Sequence, residues 1–141
     1  MLSLVYISSA RKLFSDEELK ALLEQSREKN SRLEVTGMLL YKDGNFMQAL
    51  EGPDRAVEEL FRTIEQDSRH HGVLELMRNA VGTREFPSWS MGFRNLQDVR
   101  LREMPGYSPF MNEPLHSAGF EADPSRAQKL LRMFREHMQD R

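Results

Sequence analysis

Two helical stripes interleaved with five short β-rich runs leave this 141-residue chain few ways to fold. The first run, Leu2 to Ser8, has the apolar profile of a buried strand. Ser15 then precedes an acidic turn, with Glu18 three residues later to close a capping box. Leu19, Leu22, Leu23 and Ser26 recur at helical spacing, and this helix runs out near Lys29 and Asn30. Thr36 to Tyr41 and Phe46 to Leu50 read as strands joined by a tight turn at Asp43-Gly44. Gly52-Pro53-Asp54 ends the second of them and opens a helix striped by Val57, Leu60, Phe61 and Ile64. Val73 to Val81 and Trp89 to Phe93 complete the set, with Pro87 in the connection between them.

The resulting order, β-α-β-β-α-β-β, predicts an α+β, ferredoxin-like sheet with two helices on one face. Right-handed crossovers put both helices on the same side and the first and third strands in the middle. Tyr6 and Gln48 thereby become neighbours by topology alone. Side chains alternate along a strand, so Phe46, Gln48 and Leu50 share one face. Gln48 is then a polar group on an otherwise apolar face. Beyond Asn95 the character changes: Pro105, Pro109 and Pro114 punctuate the chain, and Pro124-Ser125 opens a last stripe of Ala127, Leu130, Leu131, Phe134 and Met138. The expected division is a domain over residues 1–96 and a C-terminal helical extension over 97–141.

Several classes of function fall away on chemistry. With no cysteine there is no thiolate nucleophile, disulfide framework or cysteinyl adduct. The formal charge of -2 gives no global attraction to nucleic acid or to anionic membranes. No apolar run approaches the roughly 20 residues that span a bilayer, and no basic segment precedes the N-terminal strand as in a signal peptide. A cytoplasmic protein is the expectation. There is no P-loop, dinucleotide fingerprint or Ser-His-Asp set, so an enzyme is not expected. His70 and His71 are adjacent and face different ways, a poor start for a metal site, and none is expected.

The polar residues that remain are few. Tyr6 beside Gln48 reads either as a core tyrosine satisfied by an amide or as half of a ligand site. Asn30, at the end of the neighbouring helix, adds a second amide near the same central strands. A bound polar ring edge would satisfy both amides, and leaving one unpaired costs about 1–3 kcal/mol. The DSRHH cluster reads as a solvated turn or, through Arg69 and His70, as an anion site. Trp89 and Met91 share a face of a late strand and, taken alone, read as core. The C-terminal stripe offers a surface for a partner protein or a second copy.

Taken together, these segments resemble one family. LVYISSA, EKNSRLEVTGMLLY, GNFMQALEG, IEQDSRHHGV and FPSWSMGF, in this order and spacing over residues 1 to 96, resemble BLUF domains, blue-light sensors that use FAD. The resemblance implies that Tyr6 donates an electron and proton to photoexcited flavin and that Gln48 is the switching amide at the flavin N5/O4 edge. It implies Asn30 on the polar edge of the ring, and Met91 or Trp89 as reporters to the fifth strand. Ser8, Lys29, Asp67, Arg69 and His70 align near the flavin or its phosphates, and the ring would slot between the helices against Leu22, Leu23 and Ile64. The cofactor would be FAD, the output a red-shifted state relayed to a downstream protein, with no direct contact to nucleic acid or membrane.

The main rival is an RNA-binding module of RRM type, which has similar topology and displays aromatics on its central strands. Tyr6 and Phe46 would have to fill that role. A small acylphosphatase-like enzyme would need a phosphate-cradling loop, for which Arg11 is the sole candidate.

Overall fold

The structure is a computed structural model and describes residues 1–42, 44–84 and 92–95. Its elements are β1 (Leu2–Ala10), α1 (Asp16–Leu33), β2 (Thr36–Lys42), β3 (Asn45–Gly52), α2 (Asp54–Glu65), β4 (His70–Ala80) and β5 (Gly92–Asn95). They build one five-stranded sheet in the order β4-β1-β3-β2-β5. Neighbours are antiparallel except β2 and β5, which run parallel. The expected α+β, ferredoxin-like arrangement is therefore present, and β1 and β3 hold the centre. Trp89, Met91, the Asp43 position of the predicted turn and the predicted C-terminal extension lie outside the described residues.

The pleat explains how the sheet is buried. One face carries Leu2, Leu4 and Tyr6 of β1, Leu39 and Tyr41 of β2, and Phe46 and Leu50 of β3. These join Leu19 and Leu23 of α1 and Val57, Leu60 and Phe61 of α2 in a single core cluster. The alternate residues Val5, Ile7, Met38, Leu40, Met47 and Ala49 belong to the opposite face, and they too are buried. A sheet buried on both faces needs near-continuous apolar strands, which explains why the central runs show so little polar alternation.

Local signals set several of the boundaries. The Ser15 side chain accepts from the Glu18 N–H at 3.1 Å and the Glu18 carboxylate accepts from the Ser15 N–H at 3.0 Å, so the predicted capping box forms. Other boundaries move. Helix α1 does not run out at Asn30 but continues to Leu33, where Glu34 takes the left-handed conformation and donates its N–H to the Asn30 and Ser31 carbonyls. Strand β4 begins at His70 rather than Val73, because His70 and His71 pair with Ala10 and Ser9 of β1. The DSRHH segment is thus half turn and half strand. Two register shifts interrupt the β1–β4 ladder, one between Val5 and Tyr6 and one between Ile7 and Ser9. Gly72, at φ +64°, lies at the second, where an L side chain would be strained.

Gly37 governs how closely β2 lies along β3. A Cβ there would sit 2.9 Å from the Ala49 carbonyl carbon and closer still to its oxygen. Leu39, two residues further on, pairs directly with Gln48, so this approach also fixes where Gln48 lies beside β2. Gly37→Ala is expected to lower stability by about 1–3 kcal/mol through forced backbone displacement. The midpoint of urea unfolding checks it, and an unchanged midpoint would mean the strands have room to spare.

Candidate functional site

A cavity of about 230 Å³ lies over the sheet, lined by both helices. Its floor is a row of cross-strand partners: Tyr6 faces Gln48, and Gln48 faces Leu39. Helix α1 supplies Leu22, Gln25, Ser26, Lys29 and Asn30, which recur every three or four residues and so form one stripe. From α2 come Leu60, Thr63 and Ile64, and from the turn after it Asp67, Arg69 and His70. Apolar walls thus face each other across a gap, with amides at the bottom and charge at one mouth.

At the centre the Tyr6 hydroxyl donates to Gln48 Oε1. Both side chains are buried, at 4% and 6% exposure. Burial, with the Asp67 charge as a second cause, pushes the Tyr6 phenol well above its ordinary value of 10.0. Tyr6 is therefore a neutral donor at any ordinary pH, and the Gln48 carbonyl oxygen is committed to receiving its proton. Asn30 is 2% exposed and places a second amide on the cavity wall. An amide carries both a donor and an acceptor, so these two side chains can read a ring edge on which donors and acceptors alternate.

The mouth is organised by Asp67. Its carboxylate accepts the Arg69 backbone N–H at 2.9 Å, Arg69 Nε at 3.0 Å and Arg69 Nη2 at 2.6 Å. The Arg69 side chain beside it holds the Asp67 carboxyl down at about 2, from an ordinary 3.8. His70 crosses from this turn to β1: Nε2–H donates to the Ile64 carbonyl, and Nδ1 lies 2.8 Å from Ser8 Oγ. A carbonyl can only accept, so the proton on Nε2 is fixed, and in the neutral ring the Ser8 hydroxyl donates to Nδ1. The ring of Phe46 meets His70 edge-on at 6.5 Å and Phe14 edge-on at 5.4 Å, closing this end with aromatic surface.

The sequence-expected residues divide accordingly. Tyr6, Leu22, Lys29, Asn30, Gln48, Ile64, Asp67, Arg69 and His70 all line the cavity. Ser8 stands behind His70 as its hydrogen-bond partner, outside the wall, and Leu23 turns into the core beside Leu19. Phe14, Gln25, Ser26, Leu39, Phe46, Leu60 and Thr63 also line it and were not expected there. The signal for Gln25 and Ser26 was present in their helical spacing from Leu22 and Lys29. For Phe14 there was none, since its place depends on the β1–α1 connection folding back over Tyr41, whose hydroxyl accepts the Phe14 N–H at 3.1 Å.

The RNA-binding alternative finds no support here. Tyr6 and Phe46 lie on the helix-covered face at 4% and 5% exposure, so neither offers an open aromatic platform. Among the described residues no helix is long and apolar enough to cross a membrane.

The low Asp67 value has a consequence for stability. A depressed carboxyl contributes stability in full above its unfolded value of 3.8 and loses it as pH falls toward about 2. Asp67→Asn should therefore flatten the acid limb of the stability-versus-pH curve, measured by urea unfolding at stepped pH. Arg69 is half exposed, so added salt should shrink the difference between the two proteins.

Comparison with known proteins agrees with this geometry. Residues 1–92 match the family model of BLUF, sensors of blue light using FAD. The chain is 36% identical to the blue light- and temperature-regulated antirepressor BluF of Escherichia coli K12 over 104 residues, 72% of this chain and 24% of that protein. It is 37% identical to the photoactivated adenylate cyclase subunit beta of Euglena longa over 90 residues, 63% of this chain and 10% of that protein. This chain thus spans no more than about a quarter of these relatives. Among solved structures, the dark state of the BLUF protein BlrB matches with a TM-score of 0.73 at 32% identity, over 92% of this chain and 95% of that one. The photo-activated state of BlsA matches with a TM-score of 0.72 at 25% identity, over 93% and 94%. A phenol-amide pair at the floor of an interhelical cavity, together with these matches, identifies the chain as a member of the BLUF family of FAD-using blue-light sensors.

Proposed function

We propose that this chain is a blue-light photoreceptor in which Tyr6 and Gln48 form the switch and FAD is held between α1 and α2. The cavity suits the isoalloxazine: apolar Leu22 on one helix faces Leu60 and Ile64 on the other, and the amides of Gln48 and Asn30 meet its polar edge. When bound, FAD supplies light absorption and an excited state that is a strong oxidant.

The response to that excited state belongs to the chain's own residues. Tyr6 is buried and held neutral, so it releases an electron together with its proton rather than from a phenolate. Its O–H already points at Gln48 Oε1, which is where the proton goes. An amide protonated at oxygen would pass a proton from its nitrogen to an acceptor on the ring's polar edge, and an amide that rotates exchanges its donor and acceptor ends. Either change would leave a rearranged network once an electron and a proton have both returned to Tyr6, whose burial favours the neutral phenol. A stronger hydrogen bond to the flavin carbonyl stabilises the excited state more than the ground state, which shifts absorption to the red. The single observation that carries this reading is the buried Tyr6–Gln48 hydrogen bond on the cavity floor.

The chain has no cysteine, and among the described residues no cluster of side chains could hold a metal ion. We assign residues 1–96 to flavin binding and residues 97–141 to a C-terminal helical extension, and read the chain as a sensor and not an enzyme. Trp89 and Met91, near the C-terminal end of the first segment, are our relay candidates. A soluble cytoplasmic protein acting on a partner protein, or on a second copy of itself, fits this division.

The test is the visible spectrum of the purified protein in darkness and just after blue light. A flavin spectrum that shifts slightly to the red and recovers in darkness is expected. Gln48→Leu should bind flavin and lose the shift, and Tyr6→Phe should lose it while keeping the dark spectrum. A colourless protein that takes up no FAD on incubation sinks the reading.

A further inference from the structure

Asn30 lies four residues before a helix cap of unusual construction. Glu34 is the one non-glycine with positive φ among the described residues, at φ 60°. This left-handed conformation is disfavoured for an L residue and persists where surrounding contacts hold it. The contacts are specific. The Glu34 N–H donates to the Asn30 and Ser31 carbonyls, and the Val35 N–H donates to the Asn30 carbonyl at 2.9 Å. The Asn30 peptide is thereby tied to the cap from below.

The cap itself is held from two further sides. On one side Gly52 at the end of β3 leaves no space: a Cβ there would stand 2.8 Å from the Glu34 carbonyl oxygen and 3.2 Å from the Val35 Cα. On the other side stands Arg84, on the connection that leaves β4 toward β5. Its Nη2 donates to the Glu34 carbonyl at 2.7 Å. Its Nη1 donates to Thr36 Oγ1 at 2.9 Å and to the Glu51 carbonyl at 3.0 Å. One planar guanidinium therefore joins the end of α1, the start of β2 and the end of β3, a fork that a lysine ammonium cannot match.

We propose that Arg84 is a positioning residue for the cofactor site: by clamping the Glu34 carbonyl against β2 and β3, it sets where Asn30 stands at the polar edge of the cavity and couples that edge to the chain between β4 and β5. The proposal rests on the flavin reading of the cavity for its spectral consequence, though the clamp itself does not. Coupling of this kind is reciprocal: flavin that orders Asn30 must also order Arg84, and loosening Arg84 must loosen Asn30.

Two measurements on Arg84→Ala test it. Without flavin, hydrogen exchange at the Glu34 and Val35 amides should speed up by roughly tenfold, the effect of losing the one charge-assisted hydrogen bond to the Glu34 carbonyl, while Val5 in central β1 keeps its protection. With flavin, the carbonyl stretch of the ring should move and dark recovery after illumination should change by a similar factor. Arg84→Lys keeps the charge but reaches one acceptor at a time, so both readouts should move the same way by less. The lysine variant also serves should alanine fail to fold, and no movement in either readout then overturns the proposal. A lowered melting temperature with unchanged exchange, carbonyl band and recovery would make Arg84 a structural staple only, and would likewise overturn it. Wild-type protein that takes up no flavin would remove the photoreceptor reading and leave the exchange comparison standing.

Discussion

The antiparallel pairing of β1 with β3 is the constraint on which the rest of the site depends. It places Tyr6 directly opposite Gln48, on the same face, with no loop or hinge between them. Two side chains so placed meet without any adjustment of either backbone, and burial removes the water that would compete for their hydrogen bond. Everything above them serves to leave a gap of the right kind. Leu19 and Leu23 anchor α1 to the sheet, and Val57 and Phe61 anchor α2. Leu22, Leu60 and Ile64, one step around each helix, are left to line the space between.

The two ends of the cavity are built by different physics. At the Asp67 end, an ion pair and short-range hydrogen bonds order a turn, and His70 fastens that turn to β1 through Ser8. That end is half exposed and its electrostatics respond to pH and salt. At the Asn30 end the determinants are backbone carbonyls, a left-handed residue and a close approach at Gly52. Such an arrangement does not titrate and has little room to relax. A ring seated between them would have one polar edge fixed by rigid architecture and the opposite end facing a more adaptable charged mouth.

A buried phenol that stays neutral is useful for light-driven chemistry for a simple reason. If Tyr6 ionised easily, it could lose an electron without moving a proton, and the amide beside it would have no cause to rearrange. Burial raises the phenol and Asp67 adds to that effect, so in the proposed photochemistry charge separation and proton transfer would be linked. The ion pair at the mouth and the Tyr6–Gln48 pair on the floor are therefore electrostatically connected, although they share no hydrogen bond among the described residues.

The order of elements, the capping box at Ser15 and the nearness of Tyr6 to Gln48 were legible in the amino-acid order, because periodicity, cap chemistry and right-handed crossovers are local or topological rules. The amino-acid order also marked Asn30, as an amide near the end of a helix over the same strands. Only the tertiary structure decided that α1 runs past Asn30 to Leu33, since the cap there is held by Gly52 and Arg84, which lie far along the chain. Pairing with Ala10 and Ser9, and not the composition of DSRHHG, made strand out of His70 and His71. Leu23, expected against the ring, packs into the core, and Phe14, for which nothing was expected, lines the cavity: which apolar residue faces a ligand and which faces the core depends on the rotation of a helix and the path of a loop. Those are set by the sum of packing across the whole domain, which no single stretch of sequence contains.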